Sequence, residues 1–454
     1  MRDKEFKEIK IQNKKLIPLA LAAVSTVPMY LAIFKPVTVP FADDWLIIEW
    51  NLEGQKIDFK TLTEPMNGHQ VITSKLILKT LGFISPGNLQ LISIASIIIG
   101  FIGMALLLTS QYKNLQASKI LVLTCVLVVA NLKQMQNFFT PISAQWMFAI
   151  FFIGVYYWFK QLKKNIFRHT VISLSSFLGA MTTGLGLILP IIEIVENLLV
   201  KTSKKFTKEE KKYSNSSLVI NSLILSFFLF SVALNDKDTS GKKTGLGVDS
   251  FSQILLHPLE GASFIFTIIG NVFVPASRYD SILPSFVGGF FVASIFTMLL
   301  LNRKKIEIRH IFMNKNCLLG GMVYLLLLLL LRFENPSNSL LSQNLTVAAP
   351  RYTSGSVIFL LGVTVLVSKY SHGRKISNLV YIAVIFMVLF SGFKTGLEWH
   401  SKRFSQTQDI RNCLLTQRLA DQSSLDPCYK LVLNESLVPD EEFLQKRFMS
   451  FFRK

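Results

Sequence analysis

Long apolar runs separated by short polar loops recur along almost the whole chain, and this pattern constrains the fold more than any other feature. A run of about 20 apolar residues lets a helix cross a bilayer while bonding all of its backbone polar groups internally. Half of the residues are hydrophobic and only 17% are charged. This composition excludes an ordinary soluble globular domain and predicts an all-α polytopic membrane protein.

The apolar runs predict about eleven transmembrane helices, although several runs are shorter than a full crossing. One further run, Gly261–Val274, fits either a re-entrant or a spanning segment, and the charge pattern favours the re-entrant one. The predicted crossings are Leu16–Phe34, Leu89–Thr109, Lys119–Leu132, Ala144–Phe159, Thr170–Thr182, Thr183–Val200, Leu218–Leu234, Leu283–Leu301, Cys317–Leu331, Thr353–Ser368 and Ile376–Phe390.

The net charge of +20 comes from Lys and Arg in the short loops. Basic residues favour the cytoplasmic side of a membrane, and all the short basic loops fall on one side if Thr170–Val200 turns near Thr182 and Thr183. This explanation is preferred over nucleic-acid binding. It places the N-terminus in the cytoplasm and the C-terminus outside. The abundance of Lys, Ile, Asn and Phe is typical of an AT-rich bacterial genome, so the expected location is a bacterial inner (plasma) membrane.

The predicted topology divides the chain into a transmembrane domain, residues 1–390, and an extracytoplasmic C-terminal tail, residues 391–454. The first outer loop covers residues 35–88, and Lys133–Ser143 forms a second, shorter outer loop. Cys413 and Cys428 lie in the tail, where an oxidising compartment would allow a disulfide between them. No His stands near them at the spacing of a zinc site.

The first outer loop opens with the string Phe41-Ala42-Asp43-Asp44-Trp45. Two amphipathic stretches, Trp45–Leu52 and Val71–Leu81, are expected to lie at the interface and hold this acidic pair at the lipid–water boundary. Carboxylates there can act as a general base or bind Mg²⁺ or Mn²⁺. The alternative is that one Asp caps the helix that begins at Trp45.

Two other predicted outer positions carry phosphate-binding chemistry. His69 could orient a phosphate or bind a metal, although a lone His in a polar loop also fits a simple surface residue. Arg351 and Tyr352 stand where the chain enters a crossing from outside, and a guanidinium can bind a phosphate through two hydrogen bonds. The alternative for Arg351 is an interfacial anchor.

These features together resemble the GT-C superfamily of integral-membrane glycosyltransferases, in the uncharacterised bacterial type that uses polyprenyl-phosphate sugars. The resemblance rests on the acidic pair after the first crossing, on Thr183–Pro190 and on Pro350-Arg351-Tyr352. Related bacterial members carry Asn-Glu-His-Arg where this chain has Asn67-Gly68-His69-Gln70, so the Asn and His are kept and the Glu and Arg are not.

The resemblance implies transfer of a sugar from a polyprenyl-phosphate carrier to a cell-surface glycan or lipid acceptor on the outer face of the membrane. Asp43 or Asp44 would be the catalytic base, with the other positioning it or holding a cation. Arg351, Tyr352, His69 and Asn67 would bind the substrate and its phosphate. Two other functions remain open: a transporter or flippase for a lipid-linked glycan, and an envelope glycan polymerase.

Overall fold

The computed structural model describes residues 2–38, 59–64, 70–112, 118–163, 165–202, 208–233, 248–275, 282–301, 317–332, 352–370 and 375–419. Most of these residues are helical, and none of them lies in a β-strand. In chain order the α-helices are α1 (Arg2–Phe34), α2 (Phe59–Thr63), α3 (Ile72–Ile84), α4 (Leu89–Tyr112), α5 (Lys119–Val129), α6 (Met135–Phe139), α7 (Pro141–Lys160), α8 (Ile166–Ala180), α9 (Ile188–Thr202), α10 (Lys208–Ala233), α11 (Val248–Leu256), α12 (Pro258–Gly270), α13 (Leu283–Leu301), α14 (Leu318–Arg332), α15 (Thr353–Tyr370) and α16 (Lys375–Leu419). Short 3₁₀ helices cover Leu132–Gln134 and Gly184–Leu187.

Among the described residues, six helical segments are long and apolar enough to cross a membrane. They are Lys15–Phe34, Leu89–Tyr112, Lys119–Phe139, Pro141–Lys160, Tyr213–Phe230 and Asn378–Cys413. Four shorter apolar helical segments are Pro258–Gly270, Leu283–Thr297, Leu318–Leu330 and Thr353–Ser368. The all-α membrane architecture therefore agrees with the sequence, whereas the count of about eleven crossings stays a prediction.

Glycines allow the two central helices, α4 and α7, to pack with their backbones in contact. A Cβ atom at Gly154 would lie 2.2 Å from the carbonyl oxygen of Gly103, and one at Gly100 would lie 2.7 Å from the Met147 sulfur. Small residues at such crossings let membrane helices gain dispersion contacts that lipid cannot supply. The helix pair α4 and α7 thus forms a tightly packed centre for the surrounding helices.

The chain turns sharply between α8 and α9, as the charge pattern predicts. Helix α8 ends at Ala180, and the 3₁₀ helix Gly184–Leu187 leads directly into α9. A Cβ atom at Gly186 would lie 1.7 Å from the Gly179 carbonyl oxygen, so the two arms of the turn touch. Each α-helix has 15 residues and is about 22 Å long, which is shorter than the hydrocarbon core.

The ambiguous run Gly261–Val274 forms α12 and the turn after it. Helix α12 has 13 residues and is therefore about 20 Å long, too short to cross alone. The four residues after it, Asn271 to Val274, are all buried. Non-helical backbone inside a membrane domain is tolerated where protein surrounds it, and these four residues meet that condition. The re-entrant path itself stays a prediction.

The last helix, α16, has 45 residues and continues without a break through the predicted domain boundary at Ser391. Ser391, Thr395 and His400 are buried, and the His400 Nε2 atom lies 3.0 Å from the carbonyl oxygen of Lys35. Because Lys35 directly follows α1, the helix reaches the predicted outer end of the first crossing near His400. The division at residue 391 is therefore not a break in secondary structure, and residues 420–454 of the tail lie outside the described residues.

Candidate functional site

Most of the predicted site residues lie outside the part of the chain that the structure describes. Asp43, Asp44, Asn67, His69 and Arg351 are among them, and so is the amphipathic stretch Trp45–Leu52. Their predicted roles as base, cation ligands and phosphate ligands stay predictions. The described residues show the framework that flanks them in sequence.

Tyr352, the described member of the predicted set, is buried at the start of α15. Its ring contacts that of Trp146 at a centroid distance of 5.7 Å and an angle of 86°. Its carbonyl oxygen lies 3.4 Å from the Tyr324 hydroxyl, which donates to it. Trp146 also meets Tyr324 edge to face. Three aromatic side chains from different helices therefore fix the position at which the chain enters α15 after Arg351.

The stretch Lys133–Ser143, predicted as an outer loop, is instead helical and buried. Lys133, Gln134 and Asn137 are each 0% exposed. The Ser354 hydroxyl donates to the Gln134 side-chain oxygen at 2.7 Å, and the Asn137 amide donates to that hydroxyl at 2.8 Å. The loop prediction was wrong because these polar side chains have partners that are remote in sequence. Gln134 and Asn137 bond Ser354 of α15, and Lys133 bonds the turn after α12.

Lys133 bonds the turn that follows α12. Its ammonium donates to the carbonyl oxygens of Asn271 and Val274, and its Nζ lies 3.1 Å from the Asn271 side-chain oxygen. The nearby Asn131 amide donates to the Val272 carbonyl at 3.3 Å. A cation at the carboxyl end of a helix is stabilised by the unpaired carbonyls there. Lys133 and Asn131 thus anchor the point from which the chain continues into the loop after α12.

The end of the first outer loop packs on the turn between α8 and α9. The Thr73 amide donates to the Met181 carbonyl at 2.9 Å, its hydroxyl donates to the Leu178 carbonyl at 2.9 Å, and the Ser74 hydroxyl donates to the Thr182 carbonyl at 3.1 Å. The stretch predicted as interfacial, Val71–Leu81, is helical here as part of α3. Thr73 and Ser74 are buried, whereas Phe83, near the end of α3, is 81% exposed.

Lys75 lies on the same buried face of α3. Its ammonium donates to the carbonyl oxygen of Glu64 at 2.8 Å. Burial lowers the pKa of Lys75 from its ordinary value of 10.5 to about 8, and the negative charge of Glu64 opposes this shift. The first outer loop therefore contains a buried amine whose pKa is lowered by its burial.

Two buried side chains beside this contact have polar atoms without hydrogen-bond partners. Gln70 is 0% exposed and neither atom of its amide is paired; Thr183 is also 0% exposed and its hydroxyl is unpaired. Native proteins leave few buried polar atoms unsatisfied, so each such atom needs an explanation. Sequence patterns predict no role for Gln70 beyond its place in the Asn67–Gln70 string.

A second polar cluster lies at the predicted inner ends of α7 and α9. Lys160 forms ion pairs with Glu193 and with Glu196, the latter at 2.6 Å. Glu193 also accepts from the Tyr156 hydroxyl at 2.7 Å and from the Ser217 hydroxyl at 2.8 Å. Glu196 is thus tied to Lys160. The charge pattern of the sequence predicted that Lys160 is one of the basic residues of a short cytoplasmic loop, not a partner of buried carboxylates.

The cysteines and the acidic residues of the described chain hold no metal site. No group of three or more His, Cys, Asp or Glu side chains with metal-binding geometry occurs among the described residues. Cys125 and Cys317 are buried free thiols. Cys413 is disulfide-bonded, but Cys428 lies outside the described ranges, so the predicted pairing of these two cysteines stays a prediction.

No protein family, no curated protein and no solved structure matches the chain.

Proposed function

We propose that the protein is a membrane glycosyltransferase that moves a sugar from a polyprenyl-phosphate carrier to a cell-surface glycan or lipid on the outer face. The observation that carries this proposal is the pair Asp43 and Asp44 directly after the first crossing. Carboxylates are costly to place at a membrane interface, so such a pair is expected to have a chemical role.

The chemistry that we propose is a displacement at the anomeric carbon of the sugar. One carboxylate of the pair takes the proton from an acceptor hydroxyl, and the hydroxyl oxygen forms the new bond to the anomeric carbon. The bond from that carbon to the carrier phosphate breaks, and the phosphate leaves with the bonding electrons. The other Asp would position the base, and Arg351 would hold the phosphate.

The described structure supports this proposal through the buried polar groups near the predicted outer face. Gln134, Asn137 and Ser354 form a hydrogen-bonded set. Trp146 packs against Tyr352, the residue that follows Arg351. Polar residues inside a membrane domain are expensive and mark functional sites by default. Aromatic and amide side chains are also the usual partners of a sugar.

A transporter for a lipid-linked glycan is the second candidate, and one observation favours it. Lys160, Glu193 and Asn221 are buried between helices. Charged residues within crossings are typical of transport pathways. Lys160 and Glu193 pair with each other at the predicted inner ends of α7 and α9, which is also what an ion pair with a structural role would do. The transporter is therefore the second candidate.

The test is to delete the gene, complement it with the wild type, Asp43→Ala or Asp44→Ala, and measure the intact mass of the surface glycan. Asp58→Ala, in the same loop, is the matched control. We expect the deletion to lighten the glycan by one sugar unit, and we expect the wild type and the control, but not at least one of the paired Asp variants, to restore it. A deletion strain with unchanged glycan mass contradicts the proposal.

A further inference from the structure

An apolar cavity lies between the first helix, the end of α5 and the last helix. Its volume is about 180 Å³. Both α1 and α16 pack against α5, and the cavity lies between the three. It is shaped by Ala23, Val24 and Val27 of α1, by Leu127 and Ala130 at the end of α5, and by Val388 of α16. A dry apolar cavity of about 150 Å³ can hold benzene, so this space fits a hydrocarbon fragment of about six carbon atoms.

The cavity offers little to a water molecule. Asn131 is the polar side chain among the described residues that line it, and both ends of its amide are engaged. Its nitrogen donates to the Val272 carbonyl at 3.3 Å, and its oxygen accepts from the Lys133 amide at 2.9 Å. A buried water needs about two to four polar partners, so an apolar occupant is favoured.

The cavity is continuous with the surface that α1 and α16 present to the bilayer. Its inner wall is buried, since Leu127 and Ala130 are 8% and 2% exposed. Its rim includes Ala23 of α1 and Phe393 of α16, which are exposed. Other large apolar side chains of the same two helices are also exposed, among them Leu19 and Phe390. Both helices are among the segments able to cross a membrane, so the solvent at this rim is lipid hydrocarbon.

Depth in the membrane identifies the part of a lipid that reaches the cavity. The crossing of α1 ends at Phe34, and Val27 and Ala23 lie about two and about three helical turns before it. At about 5.4 Å per turn, the cavity is about 10–16 Å below that end. The hydrocarbon of one leaflet is about 15 Å thick, half of the bilayer core. The terminal part of an acyl chain therefore lies at the level of the cavity.

We propose that this cavity binds the terminal part of one acyl chain of a phospholipid from the leaflet at the Phe34 end of α1. Lipid chains are as apolar as the lining, so the gain comes from dispersion contacts that replace an empty space. The cavity holds only a few carbon atoms, and a chain of one leaflet's length is sufficient to fill it. The bound chain joins α1 and α16 through α5, and the site does not depend on the proposed function.

The test is photo-crosslinking of the full chain in nanodiscs of phosphatidylethanolamine and phosphatidylglycerol. The probe is phosphatidylglycerol with a diazirine near the end of one acyl chain, and mass spectrometry locates the labelled residues. Leu127 and Ala130 are diagnostic, because they are buried and lipid at the outer surface of the protein does not reach them.

The cavity-filling variants are Ala23→Phe and Val27→Phe, which place a ring in the space from its α1 side. The matched control is Ala22→Phe. Ala22 is exposed like Ala23 and lies next to it on α1, but it does not line the cavity.

We expect label on Leu127 and Ala130 in the wild type and in the control. The two cavity-filling variants should carry about tenfold less label there, because the ring takes the contacts that the chain would make. In detergent without phospholipid, Ala23→Phe should melt above the wild type, since it fills a void that is then empty.

Two results overturn the site: no label on Leu127 and Ala130 in the wild type, or equal label in the wild type and both cavity-filling variants. The wild-type result is decisive even where a variant does not fold. The assignment to an acyl chain has its own check, in which a fixed fraction of the bilayer is replaced by polyprenyl phosphate. Label should fall no more than with the same amount of unlabelled phosphatidylglycerol, and a stronger fall overturns the acyl-chain assignment.

Discussion

Replacement of Lys160 by Met should strongly destabilise the protein, because this residue neutralises two carboxylates between helices. The side chains of Lys160 and Glu193 are 9% and 5% exposed, and Glu196 is 18% exposed. Met has a similar length and fills the same space without the charge. Its introduction removes the ammonium that pairs with Glu193 and Glu196. Hydroxyl and amide donors and the charge of the Arg168 guanidinium remain near the two carboxylates.

The expected loss follows from the cost of an unpaired buried charge. Removing one partner of a buried ion pair costs roughly 3–5 kcal/mol, whereas a hydrogen bond between membrane helices contributes about 0.6 kcal/mol on average. Lys160→Met should therefore lower the free energy of unfolding by about 3–5 kcal/mol, and Tyr156→Phe, which removes one donor to Glu193, by about 1 kcal/mol. Lys163→Met, an exposed neighbour, should change it by less than about 0.5 kcal/mol.

The assay is reversible unfolding in mixed micelles, followed by circular dichroism as the fraction of denaturing detergent rises. Adding Glu193→Gln and Glu196→Gln to Lys160→Met should recover much of the lost stability, because no unpaired carboxylate is then buried. If Lys160→Met unfolds within about 1 kcal/mol of the wild type, the carboxylates do not depend on Lys160 and the reasoning is refuted.

Two further predictions concern α3 and the contact between α4 and α7. The charged form of Lys75 is penalised by roughly 3 kcal/mol, since its pKa is about 8 instead of 10.5; this penalty is fully present below pH 8 and is relieved as the pH rises toward 10.5. In thermal melts, Lys75→Met should therefore be more stable than the wild type at pH 7 and should lose this advantage by pH 10. An advantage that does not change with pH contradicts the lowered pKa of Lys75. Gly154→Ala places a Cβ atom 2.2 Å from the Gly103 carbonyl and should cost about 1–3 kcal/mol, whereas Gly261→Ala, with its nearest side-chain atoms at 3.7 Å, should be nearly neutral in the same melts.

The sequence predicted the helical segments well because hydropathy is a local property. The runs at Leu89, Lys119 and Pro141 each carry enough apolar residues to identify a membrane helix without knowledge of their neighbours. The turn between α8 and α9 was also predictable, since the charge pattern on either side requires the chain to reverse there.

The polar contacts between helices were not predictable in the same way. Asn137 and Ser354 are 217 residues apart, and Lys133 and Asn271 are 138 residues apart. A stretch that contains Lys133 and Asn137 resembles a solvated loop until its distant partners are known. Gln70 gave no local signal either, because its burial depends on how α3 packs against the turn before Gly184.

The most direct test of the central claim is an assay of sugar transfer by the purified protein in liposomes that contain a labelled polyprenyl-phosphate sugar. We expect the wild type and Asp58→Asn to release free polyprenyl phosphate and to pass the label to an acceptor. We expect Asp43→Asn or Asp44→Asn to stop both events and to leave the melting temperature unchanged. Full transfer by both single variants and by the combined variant would contradict the assignment of the Asp pair as the catalytic base.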